Sequence, residues 1–168
     1  MVTPTLSPLT FAPREIAEIV ELYASNPGYC RDSGEYDPEL VRAEADRVEA
    51  DLREEAGTES CEVLLARDAR GTLLGLLSLL GRHPRDGRPW IGLLLVHGSL
   101  HRRGVGRRLV DLVEERFRAE GRDGIRLAVL ENRPSSLAFW SSLGWQEIDR
   151  RPDVQHGRPC IVMHKDLV

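Results

Sequence analysis

Lysine is nearly missing from this chain: of 23 basic residues only Lys165 is one. Arginine is therefore the default cation, and a cluster of arginines informs through its position more than its type. Cysteine is scarce as well. Cys30, Cys61 and Cys160 are odd in number and lack metal-ligand spacing, which argues against a disulfide framework or a zinc site; Cys61 and Cys160 fall in strand-like runs and read as small core residues. No apolar run approaches the roughly 18 residues of a membrane span, and the first residues, with Pro4 and Pro8, lack the charged and apolar regions of a secretory leader. A cytosolic protein with no membrane association is expected. The net charge of −4 argues against a general nucleic-acid binder, which would carry a broad basic surface.

What is present is ordinary globular composition, 41% hydrophobic and 30% charged, with no repeat, low-complexity tract or linker. Residues 1–168 are expected to form one domain. Ile16, Ile19, Val20 and Tyr23 recur at helical spacing, predicting an amphipathic helix from Pro13 to Ala24 that Asn26-Pro27-Gly28 stops. Gly28 to Tyr36 reads as a polar loop. A second helix is expected directly after Asp37, with Pro38 at its first position and Val41, Ala45, Val48 and Leu52 as its apolar stripe. Cys61 to Arg67 and Thr72 to Leu80 read as strands of a hairpin closed by Asp68-Ala69-Arg70-Gly71. After a loop from Gly81 to Pro89, the almost wholly apolar Trp90 to Val96 fits a central strand buried on both faces. The next helix puts Leu109, Leu112 and Val113 inward, with Glu114, Glu115 and Arg118 outward, and ends near Gly121. A strand from Ile125 to Leu130, a short helix from Ser135 to Leu143 and strands at Gln146 to Asp149 and Pro159 to His164 complete the order, with one more strand near Val2 to Leu9. The pattern suits an α/β sandwich with a mixed sheet.

The most informative segment runs from Leu93 to Val110, where an apolar strand enters a loop of glycine and arginine that opens a helix. Gly104 and Gly106 lack Cβ, so the loop can turn tightly and its N–H groups can converge on phosphate oxygens, aided by the positive end of the helix dipole. The Walker pattern does not fit, because Arg107-Arg108 stand where Lys and Ser or Thr are required, and the dinucleotide fingerprint lacks its third glycine.

His101-Arg102-Arg103-Gly104-Val105-Gly106 resembles the acyl-coenzyme A loop of the GNAT acetyltransferase superfamily, Gln/Arg-x-x-Gly-x-Gly/Ala, with His101 at the first position. Downstream, the strand Ile125 to Leu130, Asn132, Phe139-Trp140 and Leu143-Gly144-Trp145 resemble motif B of that family, so the likeness extends from Trp90 to Trp145. The resemblance implies a GNAT-like three-layer α/β sandwich, its mixed, centrally splayed β-sheet flanked by helices. It also implies an acyl-coenzyme A-dependent N-acetyltransferase that moves acetyl from acetyl-coenzyme A to a primary amine by direct attack in a ternary complex, without metal. By the same likeness, main-chain groups of Leu94, Leu95 and Val96 would pair with pantetheine. N–H groups of Arg102, Arg103, Gly104, Val105, Gly106 and Arg107 would hold the pyrophosphate, with His101 close by. Asn132, Phe139 and Trp140 would lie along the coenzyme.

Two departures stand out. Phe139-Trp140 comes one residue later than usual, with Pro134 in the insertion, and Trp140 replaces the tyrosine with which many relatives protonate the departing thiolate. Indole cannot serve as that acid. No carboxylate or histidine precedes His97 in the central strand, so the general base is unassigned; loop candidates are Tyr29, Glu35, Tyr36, His83 and Asp86. Acceptor specificity is expected in Gly28 to Tyr36 and Gly81 to Pro89, where Asp32, Glu35, Asp37 and Asp86 favour a small cationic amine. A protein amine is the alternative acceptor. Two rival readings are an acyl-coenzyme A-binding regulatory module with little or no turnover, and a nucleotide-binding protein using the same anion loop. No exposed apolar stripe demands a partner copy, although a homodimer is compatible with the resemblance.

Overall fold

A computed structural model describes residues 3–168; the expected strand's Val2 lies outside them. Helix α1 (Pro13–Ala24) starts with Pro13 in its first turn and Glu15 closing the entry, its carboxylate accepting from the Thr10 N–H at 2.8 Å and the Ala12 N–H at 3.3 Å. Its inward face is Ile16, Ile19, Val20, Leu22 and Tyr23, matching the spacing that predicted it.

The next stretch departs from expectation. Gly28 to Tyr36 is not a polar loop, because Pro27 opens a short helix α2 (Pro27–Ser33) ended by Gly34 at φ 70°, and Tyr36 is buried against Tyr23 with ring centroids 4.9 Å apart. The helix expected after Asp37 begins only at Ala45, as α3 (Ala45–Ala56). Asp37 does cap, its carboxylate accepting from the Glu39 N–H at 2.8 Å, but it caps a tight turn that drives Val41 wholly inside; Glu44 at φ −112° then restarts the chain as a helix. Tertiary burial of Val41 overrode the local helical pattern.

Strands β1 (Thr5–Pro8), β2 (Cys61–Arg67), β3 (Leu73–Leu80), β4 (Trp90–Val96), β5 (Gly124–Leu130), β6 (Gln146–Pro152) and β7 (Pro159–Asp166) form one sheet in the order β1-β2-β3-β4-β5-β7-β6. Every neighbouring pair is antiparallel except β4–β5. The β2–β3 hairpin closes as predicted, with the Asp68 carboxylate accepting from Arg70 and Thr72 N–H groups. Helix α4 (Val105–Ala119) connects β4 to β5, and α5 (Pro134–Ser142) connects β5 to β6.

Two cores sandwich the sheet. Helices α1 to α3 cover one face with Ile19, Leu22, Val48, Leu52, Leu65 and Leu76. On the other face α4 and α5 bring Leu109, Val110, Val113 and Trp140, with Trp145 just past α5, onto Leu77, Leu79, Ile125 and Met163. Each fully buried leucine contributes about 1.5–3 kcal/mol, so α4 is held firmly where its N-terminus meets the end of β4. The three-layer arrangement agrees with the expected fold class. Glu114, expected outside, is buried on α4 and paired with Lys165 Nζ at 2.8 Å.

Candidate active site

β4 is not buried on both faces as its composition suggested. Gly92 is exposed and Leu93 and Leu94 are half-buried, while Trp90, Ile91, Leu95 and Val96 are buried. The cause is in the ladders. Ser78 pairs with Leu93 and Leu79 with Ile91, so Gly92 is skipped and forms a β-bulge. Among the described residues, β4 pairs with β5 through Trp90↔Arg126 and Ile91↔Leu127 and no further. The two parallel strands therefore diverge from the bulge onward, and Ala128 in the middle of β5 is exposed.

The gap is lined by unpaired main chain. The His97 N–H donates to the Leu74 carbonyl at 2.8 Å; since the two kinds of pair alternate along an antiparallel ladder, Leu95 turns its polar groups to β3, and Leu94 and Val96 turn theirs to the gap. The main-chain groups of Leu95 are therefore committed to the β3 ladder. The Val96 carbonyl is already engaged, accepting from Asn26 Nδ2 and from His101 Nε2, each at 3.0 Å. The His101 ring therefore faces back to the end of β4.

Beyond β4 the chain makes a tight turn at Gly98–Leu100, then passes Arg102 at φ 62° and Gly104 at φ 80° into α4. The N–H groups of Val105, Gly106 and Arg107 precede the first intrahelical bond, Arg108 N–H to the Gly104 carbonyl at 3.2 Å, and are free to face an anion. Arg102, Arg103 and Arg107 are exposed around this opening. The two glycines have different reasons. Gly104 has open space where a Cβ would be and is required by its φ, whereas a Cβ on Gly106 would stand 3.3 Å from Phe139 and 3.7 Å from the Val96 side chain. Phe139 consequently lies against the loop.

Other expected site residues have protein partners of their own. Trp140 is buried with Trp145 at a ring separation of 5.2 Å and Phe139 at 5.0 Å, both edge-on, so it serves as core. Asn132 donates from Nδ2 to the Asp32 carbonyl at 3.0 Å and, with Arg133 paired to Asp32 at 2.6 Å, ties the start of α5 to the end of α2. His83 stacks on Trp90 at 4.1 Å, and burial holds its imidazole below the usual range. Asp86 accepts from Trp90 Nε1 at 3.1 Å and from Arg126 at 3.0 Å. Burial alone would raise its carboxyl, but bonds from the Arg88 N–H, Trp90 and Arg126 more than offset this and hold it low.

Tyr29 and Glu35 come together, hydroxyl to carboxylate at 3.4 Å, with Arg158 3.5 Å from Glu35. Tyr36 donates to Asp51 at 2.7 Å. Burial first, and these carboxylates second, raise both phenols well above the ordinary tyrosine range. The five loop candidates thus fall into three groups: Tyr29 with Glu35, Tyr36 with Asp51, and His83 with Asp86 around Trp90 at the start of β4. Sequence reasoning missed Ser25 and Asn26, which latch α1 to the end of β4 through the Gly98 N–H at 2.9 Å and the Val96 carbonyl, and it missed the Gly92 bulge. A lone glycine inside an apolar strand was the available signal. Among the described residues no group of three His, Cys, Asp or Glu is placed to hold a metal, and no helix is long and apolar enough to cross a membrane.

A mixed sheet that splits between the parallel strands β4 and β5, with the N-terminus of α4 beside the split, defines the fold class as an α/β sandwich. Among known families, the model of the Acetyltransferase (GNAT) family matches residues 16–145, and the chain belongs to that family. Solved structures agree on the fold. An acetyltransferase from Thermus thermophilus is similar with a TM-score of 0.76 at 21% identity, over 98% of this chain and 97% of that one. A spermidine N-acetyltransferase from Vibrio cholerae in complex with CoA and spermine gives 0.71 at 15% identity, over 98% and 95%. An aminoglycoside 6'-N-acetyltransferase complexed with coenzyme A gives 0.65 at 17% identity, over 98% and 97%. No curated protein matches the chain in sequence.

Proposed function

We propose that the chain is a single-domain, cytosolic N-acetyltransferase that transfers acetyl from acetyl-coenzyme A to a primary amine of a small molecule by direct attack in a ternary complex. The observation that carries this reading is the continuity of the β4–β5 gap, from the bulge at Gly92, with the N–H groups opening α4. An extended donor with a diphosphate at one end fits that shape and polarity. Leu94 and the Val96 N–H would pair with the pantetheine amides, Val105, Gly106 and Arg107 would hold the diphosphate, and Phe139 would flank it. The thioester supplies the acetyl group. The chain fixes it beside main-chain donors, so orientation and oxyanion stabilisation come from backbone already in place. The spermidine and aminoglycoside enzymes of like fold bind coenzyme A and support an amine acceptor.

A second reading, a coenzyme-binding module without turnover, draws on Trp140, which is buried and offers no hydroxyl for the departing thiolate. In the first reading water protonates the sulfur, whose modest basicity makes it a good leaving group. One pair of measurements separates the possibilities. Acetyl-coenzyme A raises the melting temperature and ATP does not; at a ligand concentration 100-fold above Kd the added stability is about 2.7 kcal/mol. Thiol release with primary amines then distinguishes an enzyme from a binding module. A melting shift with ATP as large as with acetyl-coenzyme A would overturn the proposal.

A further inference from the structure

Helix α2 rests its two ends on opposite banks of the β4–β5 gap. At its start, Asn26 donates from Nδ2 to the gap-facing carbonyl of Val96, the last residue of β4, at 3.0 Å. At its end, the Asp32 carbonyl accepts from Asn132 Nδ2 at 3.0 Å and the Asp32 carboxylate pairs with Arg133 at 2.6 Å. The Ser33 carbonyl accepts from Arg158 Nη1 at 3.1 Å. Asn132 and Arg133 lie just past the end of β5, and Arg158 immediately precedes β7, the strand beside it. Counted from the pair Ile91↔Leu127, with one residue allowed for the bulge, Val96 stands level with Glu131. The helix therefore lies across the gap and not along it.

Its length matches what must pass beneath it. The seven residues of α2 rise about 10 Å along the helix axis. Neighbouring strands lie about 4.8 Å apart, so banks held about 10 Å from one another leave room for one extended chain between them. Both ends are gripped more than once. Asn26 also donates to the Leu22 carbonyl at 2.9 Å. Arg133 meets α2 at residues one turn apart: besides its bond to Asp32, its Nη1 stands 4.0 Å from where a Cβ on Gly28 would be, and its guanidinium lies 5.6 Å from the centre of the Tyr29 ring.

We infer that α2 is a crossbar that holds β4 and β5 at the spacing of one inserted arm, with Asp32, Asn132 and Arg133 as positioning residues for the acyl donor. This rests on the acetyl-transfer reading above. Banks already spread to the right width need no opening when the arm enters, so its amides meet Leu94 and Val96 with the thioester held at one depth. Loosening the β5 end of α2 lets the banks drift, which weakens capture of the arm. Capture of the diphosphate is untouched, because that loop is carried by β4 and α4. The Asp32–Arg133 pair is partly exposed, 40% and 21% at the two side chains, so breaking it changes stability little and its effect appears in binding.

The test is calorimetry on the full chain with two ligands, acetyl-coenzyme A and 3′-phospho-ADP, the nucleotide part of the donor, which keeps the diphosphate and lacks the arm. Arg133→Asp and Asp32→Arg are each expected to weaken acetyl-coenzyme A binding about tenfold, to leave 3′-phospho-ADP binding within about twofold, and to move the melting temperature little. Combining Asp32→Arg with Arg133→Asp restores the pair with its charges exchanged and should recover most of the lost affinity. Asp32→Asn, a milder change, should fall between the parent and the reversals. Reversals that bind acetyl-coenzyme A as the parent does would overturn the crossbar while leaving acetyl transfer standing. Equal losses for the two ligands, or no recovery in the exchanged pair, would do the same. A parent chain in which the arm adds no affinity over 3′-phospho-ADP would overturn both.

Discussion

Gly104 and Gly106 stand two residues apart and fail differently when replaced. Gly104→Val forces a branched side chain to φ 80° with no steric obstacle around it, a strain of about 1–2 kcal/mol that the loop relieves by losing its shape. Gly106→Val instead pushes against Phe139 and Val96, so both variants should lose acetyl-coenzyme A affinity in calorimetry while Gly106→Val alone also shifts Phe139. Unchanged affinity in both would contradict the placement of the donor loop. Asp86 makes a separate prediction at the same scale. Its carboxyl is lower in the folded chain than in the unfolded one, so its bonds contribute stability above about pH 4 that is lost as pH falls through the folded value. Asp86→Asn should cost about 1–2 kcal/mol in urea unfolding at pH 7, less than a fully buried pair because water reaches the site. The penalty should shrink toward pH 3.

Elements were legible in the sequence where one periodicity governed a whole segment. The stripe of α1 and the hairpin turn at Asp68-Ala69-Arg70-Gly71 appear in the structure as their spacing indicates. Two segments were misread because contacts distant in sequence decided them: Tyr36 is buried by Tyr23 and Asp51, and Val41 is drawn under α1 before α3 can begin. The turn into α4 was visible through its glycines, but the β4–β5 gap depends on a ladder that skips Gly92, and register between strands is not written in composition. Glu114 shows the same limit on α4. Charge placed it outside, yet it meets Lys165, whose Nζ also donates to the Leu143 carbonyl at 2.8 Å. Lys165→Met should leave Glu114 buried without its main partner and cost about 2–3 kcal/mol. A Glu114→Gln change in the same chain should restore part of that loss, and a simple additive result would remove the pairing as the cause.

At the scale of the molecule, Asn26 joins layers that are 70 residues apart in sequence: its Nδ2 donates to the Leu22 carbonyl at 2.9 Å and to the Val96 carbonyl at 3.0 Å. Asn26→Ala leaves both carbonyls short of a buried donor and should cost about 1–3 kcal/mol. Because the same residue steadies the turn that leads into α4, acetyl-coenzyme A affinity should fall with stability; a stability loss without an affinity loss would uncouple the two. The outermost strands have a consequence for behaviour in concentrated solution. β1 is only four residues and ends at Pro8, and β6 carries Glu147, Asp149, Arg150 and Arg151 before ending at Pro152. Short rims, alternating charge and prolines that cannot donate discourage a neighbouring copy from adding its own strand. Fibril-like growth by strand addition is thereby disfavoured at both margins.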